Sequence, residues 1–264
     1  MSIAIIDLEF GALPAVLTGL AAYAEACVLV RVGGQPAAWV RAPVEDGCLH
    51  RQTIVDALHQ QAHGYFWRMV AQSRLPQIAQ AEGQPKPDKL PTATVAICTR
   101  DRAEDLVRCL TVLCTLPEEG QEIIVVDSAS RTEATAQVVS TFPEVRYVRL
   151  ERPGLNIARN AAIQHANGDI VVFIDDDAIP DHNWLQAHRQ AFEHPFTLAS
   201  MGLTLPLELD SPAQEQFEAF STFNRGFAPR VFHRSNTHPM AAGQAGAGVN
   251  MAIRRQAATL VGIF

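Results

Sequence analysis

The stretch Ile170-Val171-Val172-Phe173-Ile174-Asp175-Asp176-Asp177 decides the fold. Its continuous apolar run reads as a buried strand. Carboxylates at the carboxyl end of such a strand emerge where open α/β sheets place their ligands. Three adjacent negative charges repel one another, and a divalent cation with hard oxygen ligands would make them tolerable. A solvated acidic turn that caps the next helix is the other reading, since Pro180 and Asp181 follow closely. The stretch alone leaves both open.

Working outward, strand and helix alternate. Residues 94–98, 123–126 and 145–148 are predicted strands. Helices are predicted over 103–116, with Leu106, Leu110 and Leu113 on one face, over 132–142, stopped by Pro143, and over 157–166, ending at Asn167-Gly168. Repeated units of this spacing imply an α/β fold with a mostly parallel sheet and helices on both faces. Toward the N-terminus the pattern differs. Residues 28–32 and 38–41 flank Gly33-Gly34-Gln35-Pro36 as a hairpin, and a helix is predicted over 51–75 with Gly64 as a potential break. The apolar residues 13–24 read as a further helix of this small domain. Asp7 and Glu9 stand where a signal peptide carries positive charge, and the stretch is too short to span a bilayer. The expected organisation is therefore a small α+β accessory unit over 1–75, a Pro-rich polar linker over 76–92 and the main α/β domain over 93–264.

The chain has 264 residues, 48% of them hydrophobic, and a formal net charge of −7. With no basic stripe to engage phosphates, it does not read as a nucleic-acid binder. Lys86 and Lys89 are the only lysines, so any phosphate chemistry has to rest on arginine, backbone amides or metal. Cys27, Cys48, Cys98, Cys109 and Cys114 form no CxxC pair, which suits reduced thiols and a cytoplasmic protein. His59 and His63 are four apart, but Gln60 stands where a zinc protease motif has glutamate, and they read as surface or core histidines.

Three strand ends carry polar groups: Thr99-Arg100-Asp101-Arg102, Asp127-Ser128-Ala129-Ser130, and the aspartates. Each alone can be explained as helix caps and turns. Together they outline a pocket with carboxylates for a metal or for hydrogen bonds to a base and ribose. Its arginines supply charge for a diphosphate.

These residues also carry a resemblance. TVAICTRDR (94–102), IIVVDSAS (123–130), GLNIARNAAIQHA (154–166), GDIVVFIDDDAIP (168–180) and GVNMAIRR (248–255) resemble, in order, the motifs of family 2 glycosyltransferases. The resemblance implies a GT-A fold and inverting transfer of a sugar from a nucleoside diphosphate sugar to an acceptor hydroxyl. Asp175 and Asp177 match the DXD pair that binds Mg2+ or Mn2+, with Asp177 the direct ligand and Asp175 or Asp176 facing the ribose. Thr99 matches a threonine lining the nucleotide pocket, Asp127 and Ser128 a polar pair near a uracil-type base, and Arg159 an arginine that approaches the donor. Arg100 stands where the family often has an aromatic residue, so a base would stack on its guanidinium, and Asp101 lies beside it. Ser128 replaces a common second aspartate. A UDP-sugar is the favoured donor, and the acceptor is left open among glycan, lipid, protein and small molecule.

The family's catalytic base belongs to a Glu-Asp pair that this resemblance would place beyond Phe264, so the chain is expected to stop short of it and to be inactive as given. Glu208, Asp210, Glu215 and Glu218 lie outside the matching position. Gly243, Gly246 and Gly248 suggest a mobile loop at the pocket mouth. Residues 224–238 read as ordinary connection ahead of an acceptor or lid loop. One competing function is a nucleotide-sugar-binding module without catalysis. Another is an Asp-nucleophile phosphatase, opposed by Ile179 and by the absence of any lysine after Lys89. The expected location is cytoplasmic, with peripheral membrane attachment left open.

Overall fold

A computed structural model describes residues 2–74, 90–117, 120–221, 223–224, 226–233, 235–238 and 243–261. The chain divides into two compact units, Met1–Pro85 with Leu205–Asn236, and Lys86–Thr204 with Thr237–Phe264. Residues 205–236 group with the first unit, whereas the sequence reading places them in the main domain over 93–264. Residues 75–89 of the expected linker lie outside the described residues.

The first unit holds β1 (Ile3–Glu9), the two-residue β2 (Val16–Leu17), β3 (Glu25–Val32), β4 (Gln35–Pro43) and β5 (Leu49–His50). Its sheet has the order β1-β3-β4, with β1 parallel and β4 antiparallel to β3. The predicted hairpin is present, turning at Gly33 and Gly34, whose positive φ angles suit glycine. The alternate residues Val28 and Val30 of β3, with Ala38 and Val40 of β4, share one core with α1 (Arg51–Gln61) and α2 (Gly64–Arg74). These helices contribute Ile54, Leu58 and Phe66 to it. The single helix expected over 51–75 is two, because Ala62 takes an extended conformation and Gly64 begins the second helix. No helix forms over 13–24. Gly19 sits at φ +86, and β2 instead pairs with β5, while Leu13, Leu17 and Leu20 reach the same core.

The second unit is built on the predicted alternation. Its strands are β6 (Ala93–Thr99), β7 (Glu122–Asp127), β8 (Val145–Arg149), β9 (Ile170–Asp175), β10 (Ala199–Met201) and β11 (Asn250–Arg254). Its helices are α3 (Ala103–Leu113), α4 (Ala134–Ser140), α5 (Leu155–His165), α6 (Trp184–Ala191) and α8 (Arg255–Val261). Between these last two in sequence, α7 (Pro212–Ser221) belongs to the first unit, where Leu209 accepts a backbone hydrogen bond from Ile3. Strand order in the second unit is β10-β11-β9-β6-β7-β8. There β9, β6, β7 and β8 are parallel, while β11 runs antiparallel to β9 and β10 antiparallel to β11. This is the mostly parallel sheet flanked by helices that the GT-A reading expects.

Alternation along each strand separates two cores. Val95, Ile97, Val125 and Val172 pack with Leu106, Leu110 and Leu113 of α3 and with Leu185 of α6. The intervening Ala96, Val126 and Phe173 pack with Ala158, Ala161 and Ala162 of α5, small residues that let the helix approach closely. The chain builds β7 and β8 on one side of β6 and then crosses to place β9 on the other. That reversal is a topological switch point, and it opens a crevice at the carboxyl ends of β6 and β9. Among the described residues no helix is long and apolar enough to cross a membrane.

Candidate active site

The three predicted polar segments all lie at this sheet edge, but they are engaged in different ways. At the end of β7, Asp127 is fully buried. One carboxylate oxygen accepts the Ser130 amide at 2.7 Å and the other accepts the Tyr147 hydroxyl at 2.6 Å. Ser128 donates its amide to the Thr99 carbonyl, and its hydroxyl accepts the Gly154 amide at 2.9 Å. Ser130 Oγ accepts the Asp101 amide, and Asp101 in turn accepts the Arg131 amide at 2.7 Å. Asp101 and Ala129 both have positive φ, +57° and +58°. Backbone strain of this kind persists only where the surroundings hold it, and here the two loops hold each other. Asp101 and Ser128 are thus held by the loops and the end of β6. Asp127 is held by Ser130 of its own loop and by Tyr147 of β8, with Arg149 Nη1 of β8 3.7 Å from the oxygen that Tyr147 engages.

At the end of β9 the carboxylates differ in exposure, with Asp175 half-buried, Asp176 buried and Asp177 exposed. Thr99 is buried, and its hydroxyl donates to Asp176 Oδ2 at 2.6 Å, tying the end of β6 to the turn after β9. Burial raises the pKa of Asp175 and Asp176 above the ordinary carboxylate value. The Arg159 guanidinium opposes the rise at Asp175, and the Thr99 hydrogen bond followed by Arg102 opposes it at Asp176. Arg102 reaches across the crevice: Nη1 lies 3.1 Å from Asp176 Oδ1, and Nη2 donates to Asp177 Oδ2 at 2.8 Å. Arg100 is exposed, with Nε 3.6 Å from Asp101.

Because β11 is antiparallel to β9 and Asn250 pairs with Ile174, the segment before β11 also meets this edge. A Cβ on Gly248 would stand 2.6 Å from Arg159 Nη2, so the glycine leaves room for the arginine on α5. A Cβ on Gly246 would stand 2.7 Å from Met201 Cβ. These two glycines therefore serve close approach. Asn250 Oδ1 accepts the Trp184 indole N–H at 2.8 Å and lies 2.7 Å from His188 Nε2, and its amide donates to the Leu203 carbonyl.

Sequence reasoning places Arg102 in the pocket's first polar segment but gives it no partner and no role of its own. The available signal is Asp105, three residues on, but contact with Asp177 follows only from the adjacency of β6 and β9. Gly248 and Asn250 read as motif members without a structural task until the strands are paired. Glu208 and Glu215 lie in the first unit, where Glu208 accepts from Gln214 and Glu215 lies 3.7 Å from Arg41.

Among the described residues no three His, Cys, Asp or Glu side chains converge as a metal cage. Asp175 and Asp177 nevertheless offer hard oxygens on one short turn. That partial set fits Mg2+ or Mn2+ only if other oxygens complete the shell, as phosphates and waters do for small divalent ions.

The carboxyl-end crevice at a switch point is where open α/β sheets commonly place their ligands, and here it gathers aspartates and arginines. Residues 94–254, more than half of the chain, match the model of "Glycosyl transferase family 2", and the chain belongs to that family. Glycosyltransferase AglE of Haloferax volcanii is 32% identical over 103 residues, 37% of this chain and 34% of the relative. Succinoglycan biosynthesis protein ExoM of Rhizobium meliloti is 31% identical over 98 residues, 34% of this chain and 31% of the relative. The matched stretches thus span only about a third of these relatives' lengths. Among solved structures, a mannosyltransferase from Pyrobaculum calidifontis in complex with GDP-Man and Mn2+ is 24% identical at a TM-score of 0.48, covering 69% of this chain and 50% of that one.

Proposed function

We propose that the chain binds a nucleoside diphosphate sugar in the crevice between β6 and β9 and serves its transfer, with inversion, to an acceptor hydroxyl. The observation that carries this reading is the convergence of Thr99, Arg102, Asp176 and Asp177 at the switch point of a family 2 domain. Asp175 and Asp177 would hold Mg2+ or Mn2+, which supplies positive charge to a departing diphosphate. Thr99 fixes Asp176, and through it the turn that carries Asp177. Arg159, given room by Gly248, brings a second positive charge to the Asp175 side of the crevice. Arg100, exposed at the end of β6, offers a planar guanidinium on which a base can stack. UDP is the favoured nucleotide. The acceptor hydroxyl has to lose a proton during the displacement, and none of the carboxylates described above is assigned that task.

Calorimetric titration of UDP and GDP into the chain, with Mn2+ and then with EDTA, tests the reading. We expect UDP to bind at least about tenfold more tightly with Mn2+, a difference of about 1.4 kcal/mol. Equal affinity in EDTA would contradict the metal-assisted site.

A further inference from the structure

Arg102 touches three carboxylates. Besides its contacts with Asp176 and Asp177, Nε donates to Asp105 Oδ2 at 3.1 Å, and Asp105 is itself paired with Arg108. The Arg102 side chain is 46% exposed, as is that of Asp177, whereas Asp176 is nearly covered at 6%. The outermost contact is thus a solvent-facing pair that can open, while Asp105 offers the arginine a second anchor on the helix that follows it.

We infer that Arg102 is the resident counter-cation of Asp176 and Asp177, and that it excludes a lone divalent cation until a nucleoside diphosphate arrives. The inference rests on the donor-site reading above. Arg102 already shares the Asp177 carboxylate, so it opposes metal entry both by occupying Oδ2 and by placing a fixed positive charge beside it. A nucleoside diphosphate removes both obstacles. Its negative charge cancels that of the incoming ion, and its oxygens can accept the N–H groups that Arg102 withdraws from Asp177. Both Nε and Nη2 of Arg102 lie close to Asp105, so the guanidinium can turn as one plane while Asp105 continues to hold it. Cation and diphosphate enter together, and Arg102 acts as a positioning residue for the aspartates.

The test uses the full chain and Mn2+ alone, with free Mn2+ read by electron paramagnetic resonance. Without nucleotide, Arg102→Gln is expected to bind Mn2+ about tenfold more tightly than wild type, and Arg102→Lys, which keeps the charge, to stay near wild type. Melting curves with Mn2+ and with EDTA supply an independent readout, because Mn2+ alone is expected to raise the melting temperature of Arg102→Gln more than that of wild type. Equal Mn2+ affinity in wild type and Arg102→Gln overturns the inference; if UDP still binds wild type only with Mn2+, the donor-site reading survives that result. Failure of UDP to bind wild type under either condition overturns both.

Discussion

The ends of β7 and β9 each place a buried aspartate at the same sheet edge, yet the two carboxylates are satisfied differently. Asp127 is closed off, with one oxygen taken by Ser130 and the other by Tyr147, and Arg149 of the adjoining β8 stands 3.7 Å from that second oxygen. Asp176 is held by Thr99 on one oxygen and by Arg102 on the other, and its neighbour Asp177 has a half-exposed arginine as partner. A carboxylate whose partners belong to its own loop and the adjoining strand fixes backbone. One whose partner is a movable side chain remains open to ligand exchange. On this contrast we propose a structural task for Asp127 and ligand exchange for the β9 turn.

The sharpest way to break that comparison is at Asp127. Asp127→Ala would leave a buried amide and a phenol without their acceptor, and we expect a loss of about 3 kcal/mol in stability by urea unfolding. A loss below about 0.5 kcal/mol, the range of ordinary surface substitutions, would show that the closed network is not structural. On the open side, Gly248→Ala places a methyl 2.6 Å from Arg159 Nη2 and forces the guanidinium to move. We expect about tenfold weaker UDP binding with Mn2+, with the penalty disappearing in an Arg159→Ala background. An equal penalty in both backgrounds would remove Arg159 from the explanation.

The cluster behind β11 sharpens the comparison through pH. Burial lowers the His188 pKa below its ordinary 6.5, and the hydrogen bond to Asn250 only partly opposes this. The unfolded chain therefore binds the proton first as pH falls, so the contribution of neutral His188 is complete above about pH 6.5 and is lost on acidification toward the folded pKa. Wild type should lose up to about 1.4 kcal/mol per pH unit more than His188→Gln over that window. Parallel stability profiles in the two proteins would contradict this assignment.

Much of the second unit is legible in the sequence because buried parallel strands and one-faced helices leave strong patterns. The expected strand over 123–126 gains one residue at each end, and Leu106, Leu110 and Leu113 face the core as read. β10 and β11 are not legible, because they are short and their pairing is antiparallel and distant in sequence. In the first unit, residues 13–24 mislead because their apolar content has no helical period and Gly19 turns the chain. At the site, the aspartates announce themselves through the strand before them. The partners of Arg102 are not legible, since they follow from the adjacency of β6 and β9, which are separated in sequence by β7 and β8.

The central claim is that the β9 turn exchanges ligands while the β7 turn holds structure. Asp177→Asn tests it most directly, by calorimetric titration of UDP with Mn2+ and with EDTA alongside a melting curve. The account predicts a melting temperature close to wild type and UDP affinity that no longer depends on Mn2+. Metal dependence equal to that of wild type would contradict it.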